Sequence, residues 1–190
     1  MEPRMDRHYT AFADTKKIAS GDVVEVATKV KKLLLADKKI SVLIFDDLTS
    51  QQIEIDFRGS LENVKDRLES LSPNDAEKKP GRPKLGVVSK EVTLLPEHWE
   101  WLALQPGGAS VTLRKLIEEA KKKNLPKDRI RQAQDAAYKF MTVMAGDLPQ
   151  YEEALRALYA ADSKKFEKMI SDWPKDIQEH SLKLAKAALK

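Results

Sequence analysis

Ser41-Val42-Leu43-Ile44-Phe45-Asp46-Asp47-Leu48-Thr49-Ser50-Gln51-Gln52-Ile53-Glu54-Ile55-Asp56-Phe57-Arg58 holds two kinds of strand joined by a turn. Val42, Leu43 and Ile44 form an unbroken apolar run of β-formers, the pattern of a buried strand. From Gln52 to Arg58 the pattern changes. Ile53, Ile55 and Phe57 alternate with Glu54, Asp56 and Arg58, which gives a half-buried strand with one apolar face. Asp46 to Ser50 is a turn cluster, so a hairpin is the simplest connection.

Helix signals lie on both sides of this hairpin. Asp22 with Glu25 three residues on is a capping-box variant. Val23, Val26, Ala27, Val30, Leu33 and Leu34 follow at helical spacing. Ser60 caps a second helix carrying Leu61, Val64, Leu68 and Leu71. Tyr9–Phe12 is a short strand. The expected order over residues 1–71 is therefore β-α-β-β-α.

Residues 72–86 break the periodicity with three prolines and two glycines, and they read as a linker. Residues 87–124 read as strand-helix-helix. Val88, Val92 and Leu94 share one side of the strand with Lys90, and Ser89, Glu91 and Thr93 share the other. Pro96 suits a first helical position. Trp99, Leu102 and Ala103 would face inward, and Pro106-Gly107-Gly108 would stop this helix. Ser110 or Thr112 would start the next, with Leu113, Leu116, Ile117 and Ala120 at helical spacing. Lys121, Lys122 and Lys123 would end it, where the helix dipole favours cations. Residues 125–190 read as a bundle of four short helices, with Pro126, Pro149 and Pro174 near helix starts. The fold class expected is α+β in these parts.

The chain has 190 residues, 42% of them apolar, and no cysteine. That composition supports real cores and excludes disulfides, thiolate metal sites and cysteine nucleophiles. No apolar run reaches membrane-spanning length, and no secretory signal is visible, so a cytoplasmic protein is expected. Charge is uneven. Residues 1–77 carry 12 basic and 15 acidic side chains, residues 78–131 carry 13 and 6, and residues 132–190 carry 9 of each. A basic middle third is the footprint of a polyanion site.

Lys78-Lys79-Pro80-Gly81-Arg82-Pro83-Lys84 lies in that third. Two prolines hold the backbone extended, and Gly81 allows close approach to a groove floor. Arg82 would lie in the narrow minor groove of A·T-rich DNA. The stretch resembles an AT-hook, with Gly81-Arg82-Pro83 as its core and Pro80 where that motif has its first arginine. Read without the motif, it is a stiff charged linker.

The strand-helix-helix order resembles a ribbon-helix-helix. That resemblance implies a homodimer in which residues 87–95 of two copies pair and enter the major groove. Ser89, Glu91 and Thr93 would then face base edges, and Lys121, Lys122 and Lys123 would touch phosphates. The full chain, through Pro80–Val88, Glu91–Pro96, His98–Ala103 and Gln105–Ser110, also resembles a bacterial family known as a domain of unknown function. Phe45-Asp46-Asp47, Asp56–Gly59 and Met144–Pro149 fit it as well. It implies a bacterial cytoplasmic origin and no particular activity.

Catalysis finds little support. Asp46, Asp47, Glu54 and Asp56 are acidic neighbours without a Lys or His to complete a hydrolytic site, and a solvated hairpin face explains them. His8, His98 and His180 lack metal-ligand spacing. No Gly-x-Ser-x-Gly or phosphate loop is present. The expectation is a non-enzymatic DNA-binding protein, without metal or cofactor and without a membrane partner, serving as a transcriptional regulator or nucleoid-associated factor. The alternative is a protein-interaction module whose basic stretch is only a linker.

Overall fold

The computed structural model describes residues 7–37, 39–70 and 88–189. Four strands and seven helices follow in order: β1 (Tyr9–Ala13), β2 (Lys16–Gly21), α1 (Val23–Ala36), β3 (Val42–Asp46), β4 (Gln52–Ile53), α2 (Leu61–Ser70), α3 (Pro96–Ala103), α4 (Gly108–Ala145), α5 (Tyr151–Tyr159), α6 (Ser163–Met169) and α7 (Lys175–Ala185). The class is α+β. The described residues divide into two compact units, 7–70 with 129–189 and 88–128.

The larger unit is built on one antiparallel sheet of order β2-β1-β3-β4. All five residues of β1 are buried. That pattern requires cover on both faces, since successive side chains point to opposite sides of a sheet. Tyr9, Ala11, Ile44 and Ile53 pack with Val23, Val26 and Val30 of α1 and with Val64 and Leu68 of α2. Phe12 and Phe45 point the other way, into Phe140, Met141, Leu158, Phe166, Ile170 and Ile177. The sheet thus lies between two helical layers.

This arrangement alters the expected division of the chain. The 1–71 and 125–190 segments do not make separate cores here, because Phe12, Leu43 and Phe45 would leave an apolar sheet face open without the C-terminal helices. Polar contacts fix the docking. The Lys17 amide donates to Asp176 at 2.8 Å, and Lys183 Nζ donates to Asp47 at 2.7 Å.

Three element boundaries differ from the sequence expectation. β2 is an added strand, so the order is β-β-α-β-β-α. Its Lys16 and Lys17 are exposed on the sheet edge, and edge charge hides the alternation that marks a strand. β4 is the second. It stops at Ile53 instead of Arg58, and side chains of α1 and α2 hold the carbonyls beyond it, including that of Phe57, which a continued ladder would turn toward β3. Lys31 Nζ donates to the Phe57 carbonyl at 2.6 Å, and Arg67 donates to those of Asp56 and Arg58 at 2.7 and 2.6 Å. The third is α4, which does not end near Lys123 but continues through Pro126 to Ala145. Pro126 removes one helical N–H bond, yet both it and Lys122 are exposed, so water can serve the freed carbonyl.

Several predicted caps are in place. The Asp22 carboxylate accepts from the Glu25 amide at 2.8 Å, Ser60 Oγ from the Asn63 amide at 3.2 Å, and Asp162 from the Lys165 amide at 3.0 Å.

Candidate nucleic-acid interface

The smaller unit holds most of the predicted contact residues. Residues 88–95 belong to no sheet, because no second strand lies beside them among the described residues. The strand expected at 87–95 is therefore absent from the single chain. A lone strand has unpaired backbone groups, which a second strand beside it would satisfy. Ser89, Glu91 and Thr93 are all exposed on this segment.

At Leu95 the backbone is still extended, and Pro96 then opens α3 as its first residue. The helix closes with the Leu104 amide donating to the Trp101 carbonyl. Gly107 and Gly108 follow with φ of 88° and 71°, a conformation that favours glycine. They reverse the chain into α4. A Cβ at Gly107 would lie 3.1 Å from Val111, so the turn has little room for a side chain.

Lys121, Lys122 and Lys123 are exposed, but they stand in the middle of α4 and not at its end. The dipole argument for placing them there therefore fails, since that field is concentrated in the terminal turns. Their setting is a longer basic run. Arg114, Lys115, Lys127 and Arg129 are also exposed on α4, against Glu118, Glu119 and Asp128. From Arg114 to Arg129 the run covers about 22 Å at about 1.5 Å per residue. Lys121 pairs with Glu118 at 3.7 Å on the exposed surface, a contact weak enough to yield to a phosphate.

Sequence reasoning missed the apolar surface of this unit. Trp99 and Ala103 were expected inward with Leu102, but both are exposed. In the structure Leu102 is the one large apolar side chain of 88–128 that is buried. Val88, Val92, Leu95, Trp99, Trp101, Leu104, Leu116 and Ile117 are exposed, Leu104 by 83% and Val88 by 79%. The signal was present as an apolar stripe on each helix, but periodicity does not say whether a stripe meets its own chain or another.

Lys78, Lys79, Gly81, Arg82, Pro83 and Lys84 lie outside the described residues.

The acidic residues of the hairpin are dispersed by their own partners. Asp46 is buried. Burial raises its pKa, but bonds from Arg7 and from the Thr49 and Leu48 amides outweigh that and hold the carboxyl below its ordinary value. Asp47 accepts from Thr10 and Lys183. Asp56 accepts from the Arg58 guanidinium and amide and is held well below the usual carboxylate range. No group of three or more His, Cys, Asp or Glu among the described residues could hold a metal ion. His98 is exposed beside Glu97, whereas His180 is buried between Phe12 and Phe140. No helix among the described residues is long and apolar enough to cross a membrane.

Over residues 8–185 the chain matches the family described as "Uncharacterized protein conserved in bacteria (DUF2239)", and it belongs to that family. No curated protein and no solved structure matches the chain.

Proposed function

We propose that this chain binds duplex DNA as a homodimer, with residues 87–95 of two copies paired into a ribbon and α4 set against the phosphates. The observation that carries this reading is the imbalance of the smaller unit. Its described residues bury one large apolar side chain and expose nine others on the 88–95 segment, α3, the turn after it and α4. Exposed apolar side chains in such number are the mark of an interaction surface. A second copy would cover it and supply the missing ladder at the same time.

The DNA-facing half of the proposal rests on what stays polar. Ser89, Glu91 and Thr93 would present hydroxyls and a carboxylate to base edges, with Glu91 accepting from cytosine N4. Arg114, Lys115, Lys121, Lys122, Lys123 and Lys127 would supply the phosphate contacts. Arg82, with Lys78, Lys79 and Lys84 beside it, would anchor in an adjacent A·T-rich minor groove. The chain acts by binding, as a regulator or an architectural protein, and no chemical step is assigned to it.

The test combines sedimentation with binding. The chain should sediment as a dimer, and Leu95→Asp with Ile117→Asp should make it monomeric and abolish duplex binding. Arg82→Ala should weaken binding to A·T-rich duplex by roughly 1–3 kcal/mol. A strict monomer that still binds duplex would refute the ribbon. A dimer without duplex affinity would favour the interaction-module reading.

A further inference from the structure

We propose that the larger unit carries a peptide-binding cleft at the open edge of its sheet, independent of the DNA reading. β3 is fully paired with β1 along Val42–Asp46, but β4 pairs only with Ile44 and Phe45. Continued in register, Val42 would face Ile55. That pairing is not made, and Lys31 of α1 holds the Phe57 carbonyl, which a longer ladder would turn toward β3. A cavity of about 520 Å³ lies along the gap, walled by Leu34, Val42, Ile44, Ile53, Ile55 and Phe57.

The direction of the free backbone groups follows from their neighbours. The Asp46 amide donates toward β4, to Gln51, and the Asp47 amide donates toward β1, to His8. Alternation then turns the N–H and C=O of Val42 into the gap. An unpaired edge beside an apolar wall is the chemistry that recognises an extended strand: the main chain supplies hydrogen bonds, and alternate side chains fill the wall. A fatty chain would satisfy the wall but leave the peptide groups bare.

Charge selects among strands. Among the described residues, Glu54 is the one charged side chain lining the cavity, and it is exposed. It belongs to the opposite strand face from Ile53 and Ile55. The occupant is therefore a partner segment that alternates aliphatic and basic residues, aliphatic toward Leu34 and Phe57, basic toward Glu54.

The probe is acetyl-Val-Lys-Val-Lys-Val-amide, titrated into the isotope-labelled full chain and followed by amide chemical shifts. Shifts should be centred on Val42, Ile53, Ile55 and Phe57. Glu54→Lys should weaken binding by at least about fivefold, the factor for losing one cross-strand charge pair and gaining a like-charge one. Val42→Pro should abolish binding while sparing the β1 ladder, whose bonds leave from Leu43 and Phe45. The same peptide with its central amides N-methylated reads out the ladder without altering the protein, and it should not bind. Absence of shifts at these residues, or equal binding of the N-methylated peptide, overturns the proposal. So does an equal response to decanoate, which would make the cleft an apolar-ligand site. Shifts that appear on concentrating the chain alone would assign the edge to a second copy and overturn it as well.

Discussion

Phe140→Ala tests the claim that the N-terminal sheet and the C-terminal helices share one core. Phe140 is fully buried on α4. Its ring meets Phe45 edge-on at 5.2 Å and 76°, lies 5.3 Å from Phe12, and sits 4.5 Å from the His180 ring. Truncating a buried Phe to Ala costs about 3–5 kcal/mol through lost transfer energy and the cavity left behind. The aromatic contacts add about 0.5–1.5 kcal/mol each beyond area burial, which places this site near the top of that range, at about 4–5 kcal/mol. Whole-domain stability is only about 5–15 kcal/mol, so the variant should fold but only marginally. Urea unfolding followed by far-UV circular dichroism should show the midpoint fall with the slope unchanged. The melting temperature should drop by roughly 15 °C, at about 3–4 °C per kcal/mol for a unit of this size. The amides of Phe12 and Phe45 in the sheet should lose exchange protection together with those of α5 and α7. A cost under about 1 kcal/mol would refute the shared core, because a buried aromatic linking two layers has to cost more than a surface change. Loss of protection in the helices alone would refute it equally.

The remaining predictions follow from single sites. Burial between Phe12 and Phe140, opposed by Asp47 and assisted by Lys183 and Lys17, pushes the His180 pKa down to about 4. The unfolded imidazole titrates near 6.5, so the unfolded state takes the proton first; stability is full above about 6.5 and falls by about 3 kcal/mol as pH drops toward about 4. His180→Leu should flatten urea midpoints across that window, and a wild-type midpoint unchanged between its two ends would contradict the assignment. Gly107→Ala should destabilise the α3–α4 turn by roughly 1–2 kcal/mol, because the position has φ of 88° and Val111 lies 3.1 Å away; faster amide exchange in α3 is the readout. Lys31→Met frees the Phe57 carbonyl. Segment 54–58 should then zip toward β3, seen as new cross-strand contacts between Val42 and Ile55, and an unchanged cleft would show that Lys31 does not hold it open.

How much of this fold the sequence disclosed depends on where each residue's partner lies. Asp22, Ser60, Asp162 and Pro96 mark helix starts by local chemistry, and each is where its neighbours predict it. Val42–Ile44 read as a buried strand for the same reason, since an apolar run needs no knowledge of what covers it. The Phe12 and Phe45 faces were different. The pattern named no cover for them, and only the tertiary structure shows that α4 to α7 provide it. Glu54–Arg58 misled because their alternation is real while the Phe57 carbonyl, which would face β3, is claimed by Lys31 from elsewhere in the chain. Pro126 misled in the opposite sense, as a local breaker tolerated inside an exposed helix. In the candidate site, Ser89, Glu91 and Thr93 were singled out by alternation, but Val88, Lys90 and Val92 are exposed beside them, so exposure does not distinguish the two sides. The apolar surface from Val88 to Ile117 was not, because a stripe that waits for a partner has the same period as one that has found it.

The most direct test of the DNA-binding proposal is a salt titration of affinity for a fluorescent A·T-rich duplex. The basic run on α4 and the 78–84 stretch lead to an expectation of about four to six phosphate contacts per chain. Log affinity should then fall linearly with log salt at a slope of about −4 to −5, and Lys121→Ala with Lys122→Ala should flatten it by about one to two units for every sequence alike. No measurable duplex binding even at about 50 mM salt, where the electrostatic contribution is strongest, would contradict the proposal outright.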